Sequence, residues 1–475
     1  MRKILLINSN TERYPYPVPP VGLSLLSAIL NKTYKVEIFD GVFRDAKDLP
    51  SVIEHFQPDY VGVSIRNIDD MVIDRPKVFL RKIVEDFILP IKNSTNVPLI
   101  LGGSGFSIYP VEILKMCDAD FGVVGEAEVN FPQLLAALDK GDTEFDIKGV
   151  IDRFTKNVDI VYVSNKIHTL EIPFAEIDSK IDFKPYLDKG VYSIQTKRGC
   201  YHKCIYCTYP VLEGKTYRKR EAIDIADEIA EAHQRLGYIT FEFVDSTFND
   251  PPQHAENICR EIIKKNIKVR LRTMGINPAH ASAELFELMR NAGFAQVDST
   301  PDSASPRMLI NMKKNFNIEQ LKKTAELLRY NDMPTMWFFL FGGPGEDEST
   351  VMETFEFISN HISPLDMVHM SLGLRVYRGT ELYNIGLKEN RYTISESLLD
   401  PPYFYISDQI SKEILKELLQ NYSKKYMNCI LSSESTPPPE MMKEAVEIRV
   451  KEQLNEPIFR TLLRIRKSWM ESGKM

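Results

Sequence analysis

No apolar run in this chain approaches the ~18 residues that a membrane-spanning helix needs, and the apolar stretch before Asn8 is too brief for a signal peptide. There is no long basic block, and the net charge is −7; nucleic acid is therefore not expected as the main partner. Cysteine is scarce, with six in 475 residues, which excludes a disulfide scaffold and fits a reducing compartment. No Gly-x-Gly-x-x-Gly follows the first apolar run, which speaks against a dinucleotide site. What remains is the composition of a soluble, globular, cytoplasmic enzyme, 43% hydrophobic and 26% charged. The chain is too long for one ordinary domain, so two domains plus an extension are expected.

Three of the six cysteines are clustered. Cys200, Cys204 and Cys207 lie in Lys-Arg-Gly-Cys-Tyr-His-Lys-Cys-Ile-Tyr-Cys-Thr-Tyr-Pro, a Cys-x3-Cys-x2-Cys spacing. Three thiolates on one tight loop can hold three irons of a [4Fe–4S] cluster, and no fourth cysteine is near, so one iron would stay open to a non-protein ligand. Three buried structural cysteines are the plainer alternative. Cys117, Cys259 and Cys429 read as small buried hydrophobes. The run resembles the cluster loop of the radical S-adenosylmethionine (SAM) enzymes. That resemblance implies that SAM chelates the open iron and that Tyr206, just before the third cysteine, lies against the adenine. His202 reads as a solvated loop residue, because the thiolate spacing is complete without it.

Residues 1–140 read as a doubly wound, Rossmann-like α/β domain. Short apolar runs typical of buried parallel strands recur at Lys3–Ile7, Lys35–Phe39, Tyr60–Ser64, Pro98–Leu101 and Phe121–Val124. Helical patterns at Val21–Leu30, Pro76–Ile88 and Val111–Met116 separate some of them, which predicts right-handed crossovers. Ligands bind such sheets at the carboxyl ends of the strands. The loops there are Tyr16–Leu23 (with Pro20, Val21 and Gly22), Ser64–Asp69 (Ser64, Arg66, Asn67), Gly102–Phe106 (Gly102, Gly103, Ser104, Gly105) and Gly125–Glu128 (Gly125, Glu126). Glycines let a cofactor approach the backbone closely, although each loop alone is equally a structural turn.

In order and combination, these four loops resemble the cobalamin-binding domain fused to one large branch of radical SAM enzymes. The resemblance implies that the named loop residues contact cobalamin. Many such domains carry Asp-x-His-x-x-Gly after the first strand, and alignment on Gly22 puts Pro17 and Pro19 at the aspartate and histidine positions. Proline cannot ligate, so a base-off cobalamin without a histidine ligand is expected. Arg66 and Asn67 are candidates to cover the lower corrin face. A guanidinium cannot coordinate cobalt but can keep water from it; a surface arginine paired with Asp69 or Asp70 is the competing reading.

Residues 141–190 look like a connector, with a hairpin expected at Gly149–Val163 and an extended segment at Ile172–Tyr186. Residues 191–390 repeat a βα pattern, with strands at Tyr192–Thr196, Ile239–Val244, Lys268–Arg272, Ala295–Asp298, Thr335–Phe341 and Val368–Val376. Six units predict a partial TIM-type barrel, with its chemistry at the C-terminal strand ends. The resemblance implies SAM contacts at those ends: Asp245 and Thr247 for the amino group, Asp302, Ser303 and Ser305 near the ribose, Gly342 and Gly343 against the adenine, and Arg375 after the last strand. Asp302 stands where relatives often have glutamate, and Arg378 where they often have proline. Residues 391–475 read as a helical extension, Asp408–Tyr422 and Glu440–Met470. The aromatic run Pro401–Tyr405 reads as core or as the lining of a substrate cavity.

The chemistry implied by the resemblance is C-methylation of an unactivated carbon in a small-molecule, lipid or peptide substrate. A flavodoxin or ferredoxin would supply electrons. Non-methylating radical chemistry and a non-catalytic corrinoid- or cluster-binding protein are the alternatives. A methylthiotransferase fits less well, since the N-terminal domain has only Cys117 for an extra cluster.

Overall fold

The computed structural model describes residues 1–13, 16–142, 146–156, 181–187, 190–237, 239–454 and 456–474. The N-terminal part is one six-stranded sheet. Its strands are β1 (Lys3–Asn8), β2 (Lys35–Asp40), β3 (Tyr60–Ser64), β4 (Leu99–Gly102), β5 (Phe121–Val123) and β6 (Val150–Asp152), in the order β2-β1-β3-β4-β5-β6. The first five run parallel, and β6 is antiparallel to β5. Successive side chains of β1 alternate faces. Ile4 and Leu6 pack with Leu23, Leu26, Phe131 and Leu134, on helices Val21–Leu30 and Ala127–Lys140. Leu5 and Ile7 pack on the other face with Ile53, Leu80, Phe87 and Ile113. This two-sided burial is why the strands read as continuous apolar runs.

The expected α/β architecture is therefore present, with one addition. β6 comes from the segment expected as a connector, and it pairs with β5. The remainder of that expected hairpin and most of Ile172–Tyr186 lie outside the described residues.

The second sheet contains β7 (Tyr192–Ile194), β10 (Thr240–Phe243), β11 (Arg270–Ile276), β12 (Phe294–Asp302), β13 (Thr335–Phe341), β14 (Met367–Leu372) and β17 (Cys429–Leu431). The order β17-β14-β13-β12-β11-β10-β7 is parallel throughout, and β7 and β17 do not pair, so the barrel stays open. Two short antiparallel pairs complete the set: β8 (Lys197–Arg198) with β9 (Arg218–Lys219), and β15 (Leu374–Arg375) with β16 (Phe404–Tyr405).

β17 corrects the expectation of six strands and of a purely helical C-terminus. It lies between helices Lys412–Lys425 and Pro439–Lys451. The expected helix Glu440–Met470 is two helices, the second being Ile458–Glu471; Pro457 lies at its start, where a missing N–H costs nothing. Among the described residues, no helix is long and apolar enough to cross a membrane.

Candidate functional site

The cysteine loop is held at both ends. Asp245, at the end of β10, accepts hydrogen bonds from the Thr196 and Lys197 amides (2.8 and 3.2 Å) and from the Thr196 hydroxyl (2.5 Å). The Lys197 ammonium also reaches Asp245, at 3.1 Å, and both side chains are buried. The pairing of β8 with β9 closes the loop at its neck. There Gly199, at φ +90°, leaves no room for a side chain against the Thr216 carbonyl. Asp245 is thus consumed in building the loop instead of pointing a free carboxylate at a ligand.

Cys200 is buried, and Cys204 and Cys207 are half-buried. Burial pushes the Cys200 thiol up and the Cys207 thiol up to about 12, and the neighbouring cysteines add to both shifts. Among the described residues, no three His, Cys, Asp or Glu side chains are already drawn to metal-ligand distances. Three soft donors in a dry loop, costly as bare thiolates, fit an iron–sulfur cluster whose positive iron would repay their ionisation.

Tyr206 lies within the loop, and its hydroxyl donates to Asp302. Lys314 donates to the same carboxylate at 2.5 Å and lies 5.8 Å from the Tyr206 ring centre. Asp302 sits at φ +65°, an uncommon conformation for a non-glycine residue at the end of a strand. Its carboxylate is thereby turned to these two groups. Thr247 bonds the Ser246 carbonyl. Ser303 bonds Thr354, and Ser305 is buried with an unpartnered hydroxyl. The Gly342 and Gly343 amides both donate to Glu346, the latter at 3.0 Å. Glu346 is fully buried, and burial raises its pKa to about 7. Arg375 points away from this group: its Nε donates to Asp69 at 2.9 Å.

His202 corrects the sequence reading. Its side chain is nearly buried, with Nε2 2.5 Å from Asp250 and 3.1 Å from the Asn277 amide nitrogen. The loop is braced there, not solvated. Of the Pro401–Tyr405 run, Tyr405 is core, packed with Ile205, Met308 and Leu374, whereas Tyr403 and Phe404 are half-buried and Pro401 is exposed.

In the N-terminal sheet, strand order reverses between β1 and β3, the place where such sheets take ligands. A small cleft opens there between Ser9–Glu12, Arg66, Asn67 and Lys82. A side chain at Gly22 would meet nothing within 4 Å, so that helix start faces open space. Gly103 and Gly105 have another reason: a Cβ would fall 2.6 Å from the Ile65 carbonyl and 2.7 Å from that of Arg66. Ser104 also bonds the Arg66 carbonyl, at 3.3 Å. The Gly125 amide donates to Ser107 at 2.9 Å. Pro20 and Val21 begin helix Val21–Leu30, and Ser64 ends β3. Between that helix and Ala127–Lys140, Ser27 and Asn130 are fully buried with unpartnered side-chain polar atoms. A polar cofactor tail entering between these helices would satisfy them, which fits cobalamin. Arg66 is exposed, as the competing reading has it, but among the described residues it forms no ion pair with Asp69, which is taken by Arg375, or with Asp70, which accepts from the Val72 and Lys77 amides.

The structure brings the two loop sets together. Glu126 accepts from Arg218 at 2.8 Å and lies 3.3 Å from Arg198, while Glu128 lies 2.6 Å from Arg198. Arg198 and Arg218 are the two ends of the cysteine loop, so the Gly125–Glu128 turn grips its neck. Glu126 is committed to these arginines. Lys314, Arg198 and Arg218 were not legible as site residues, since only their partners in space single them out.

Residues 194–358 match the Radical SAM superfamily and residues 8–135 the B12 binding domain. The chain is 25% identical to an uncharacterised methyltransferase of Pyrococcus horikoshii over 88% of this chain and 92% of that protein. It is 26% identical to a tryptophan 2-C-methyltransferase of Streptomyces laurentii, over 78% of this chain and 72% of that one. Among solved structures it resembles a radical S-adenosylmethionine methyltransferase from Kitasatospora setae, determined with cobalamin and a [4Fe–4S] cluster bound. That likeness covers 100% of both chains with a TM-score of 0.80 at 20% identity.

Proposed function

We propose that this chain, a cobalamin-dependent radical SAM enzyme, transfers a methyl group to an unactivated carbon of a small-molecule substrate. The observation that carries this reading is the grip of Glu126 and Glu128 on Arg198 and Arg218, which fixes the corrin-side loops against the cysteine loop. A methyl donor and a radical generator must lie this close if one substrate carbon is to meet both. When bound, the cluster with SAM supplies a hydrogen-abstracting 5′-deoxyadenosyl radical, and cobalamin supplies the methyl group.

The chain's own residues bind, orient and exclude water. Cys200, Cys204 and Cys207 hold the cluster, and Tyr206, Thr247, Ser303 and Ser305 surround the SAM position. Gly342 and Gly343, tied down by Glu346, offer a flat turn to the adenine. Arg66 and Asn67 would cover one face of the cobalamin, and Ser27 and Asn130 would hydrogen-bond a polar tail of it entering between the two helices. A small electron carrier, flavodoxin or ferredoxin, delivers the electron, and the enzyme works in the cytoplasm.

The test needs no substrate. Anaerobically reconstituted protein is given cobalamin, reductant and SAM carrying a deuterated methyl group. Formation of 5′-deoxyadenosine and of deuterated methylcobalamin is expected. 5′-Deoxyadenosine without label on cobalamin would shift the reading to non-methylating radical chemistry, and the absence of both to a non-catalytic corrinoid protein.

A further inference from the structure

The open barrel has two unlike walls facing its lumen. Along its strands, alternate residues are buried against the outer helices. Phe241, Leu271, Val297 and Phe339 lie in that core, and the residues between them face the other way. On β13, Met336, Phe338 and Leu340 are half-buried while their neighbours are buried, so the lumen is open to solvent along this wall.

The β7–β12 wall is polar. Ser193, Glu242, Arg272 and Gln296 lie side by side in register. Arg272 Nε is 2.5 Å from Glu242, and the Tyr16 hydroxyl donates to the same carboxylate at 2.8 Å. Tyr16 arrives from the loop after β1, and the Arg272 guanidinium lies 4.1 Å from its ring centre. Two residues beyond Gln296 stands Asp298, which accepts the Gln296 amide at 2.9 Å. Among the described residues, no cation stands at ion-pair distance from Asp298. The Arg272 guanidinium is claimed by Glu242, which leaves the Asp298 carboxyl without an ion-pair partner among the described residues. Burial lifts Asp298 to about 7, the behaviour of an acid awaiting a positive partner.

The β13–β14 wall is apolar. His369 is stacked flat on Phe338, with ring centres 4.8 Å apart, and burial depresses its pKa to about 4. A neutral imidazole adds no positive charge to that wall. Phe459 and Leu463 of the last helix pack with Met336, Met367 and Ile430 and close the floor.

We propose that this lumen takes a substrate carrying a protonated amine, which pairs with Asp298 and lays an apolar, planar body against Met336, Phe338 and His369. The proposal rests on the enzymatic reading above and names its substrate class. An anionic head group placed at Asp298 is disfavoured, since it would face that carboxyl rather than a cation.

The test uses protein reconstituted with cluster and cobalamin and compares phenethylamine, 2-phenylethanol and 3-phenylpropionate by isothermal titration calorimetry at pH 8. The amine is expected to bind about tenfold or more tightly than either analogue. Asp298→Asn should erase that preference, and Asp298→Glu should keep part of it. Cluster and cobalamin content report whether each variant is assembled; should Asp298→Asn fail to assemble, the wild-type comparison decides alone. Equal binding of the three probes, an unchanged preference in Asp298→Asn, or no saturable binding by any of them overturns the proposal. Amine binding without methyl transfer would count against the methyltransferase reading and leave this one standing.

Discussion

Lys314 and Asp302 form a buried ion pair, Nζ to Oδ2 2.5 Å, directly beside Tyr206 of the cysteine loop. Burial opposes the Lys314 charge, but Asp302, Cys204 and Cys207 outweigh it and raise the ammonium's pKa. A fixed positive charge therefore lies within electrostatic reach of Cys204 and Cys207, the proposed cluster ligands. Adding an electron to the cluster adds negative charge, which this cation stabilises. Lys314→Met is expected to lower the cluster's reduction potential by roughly 50 mV, about 59 mV being a tenfold change in a one-electron equilibrium. Titration followed by electron paramagnetic resonance reads the shift, and an unchanged potential would remove Lys314 from the cluster's surroundings.

Asp69 and Arg375 join the two halves of the molecule through a pair of almost fully buried charges. Asp69→Ala strands the guanidinium, which also donates to the Val376 and Tyr403 carbonyls. A loss of about 3–5 kcal/mol is expected, as for other broken buried pairs, whereas Asp69→Leu with Arg375→Met should recover part of it. Thermal unfolding of the single and double variants checks this; additive losses would contradict it.

Glu346 has a direct pH consequence. Its folded pKa of about 7 lies above the ordinary 4.5, so the folded chain holds this proton more tightly than the unfolded one. The associated stability is fully present below pH 4.5 and is lost as pH rises toward 7, amounting to about 3 kcal/mol at most. Glu346→Gln keeps an acceptor for the two glycine amides without the charge. It should flatten the dependence of Tm on pH across this window and melt higher than the wild type at pH 8. A lower Tm at pH 8 would show that the ionised carboxylate is the better cap.

Gly22 and Gly103 should respond oppositely to substitution. Gly103→Ala meets the Ile65 carbonyl at 2.6 Å in a left-handed conformation, so it should destabilise the chain whether or not cobalamin is present. Gly22→Phe enters open space and should leave the Tm of the cofactor-free protein nearly unchanged. It should nevertheless weaken cobalamin uptake about tenfold or more in a spectrophotometric titration. Unimpaired uptake would move the corrin away from this helix start.

The central strands β1 and β3 were legible because both of their faces are buried, leaving unbroken apolar runs such as Ile4–Ile7. β17 was not, because it is only three residues at a sheet edge and its partner is remote in sequence, and β6, though within the expected hairpin, gave no sign of its pairing with β5. The cysteines were legible from spacing alone. Asp245 and Glu126 were found as polar groups at strand ends, but their engagement with Lys197, Arg198 and Arg218 depends on which chains meet in space. Lys314 looks like an ordinary surface charge until folding takes it out of water.

The last strand and the last helix of the barrel give the molecule an order of completion. A chain emerging amino end first presents the corrin-side loops, then the cysteine loop, and only at the end β17 and the helix bearing Phe459 and Leu463. Until those residues are made, the lumen has no floor. The lumen is therefore closed last, after the residues proposed to hold the cofactors are already made.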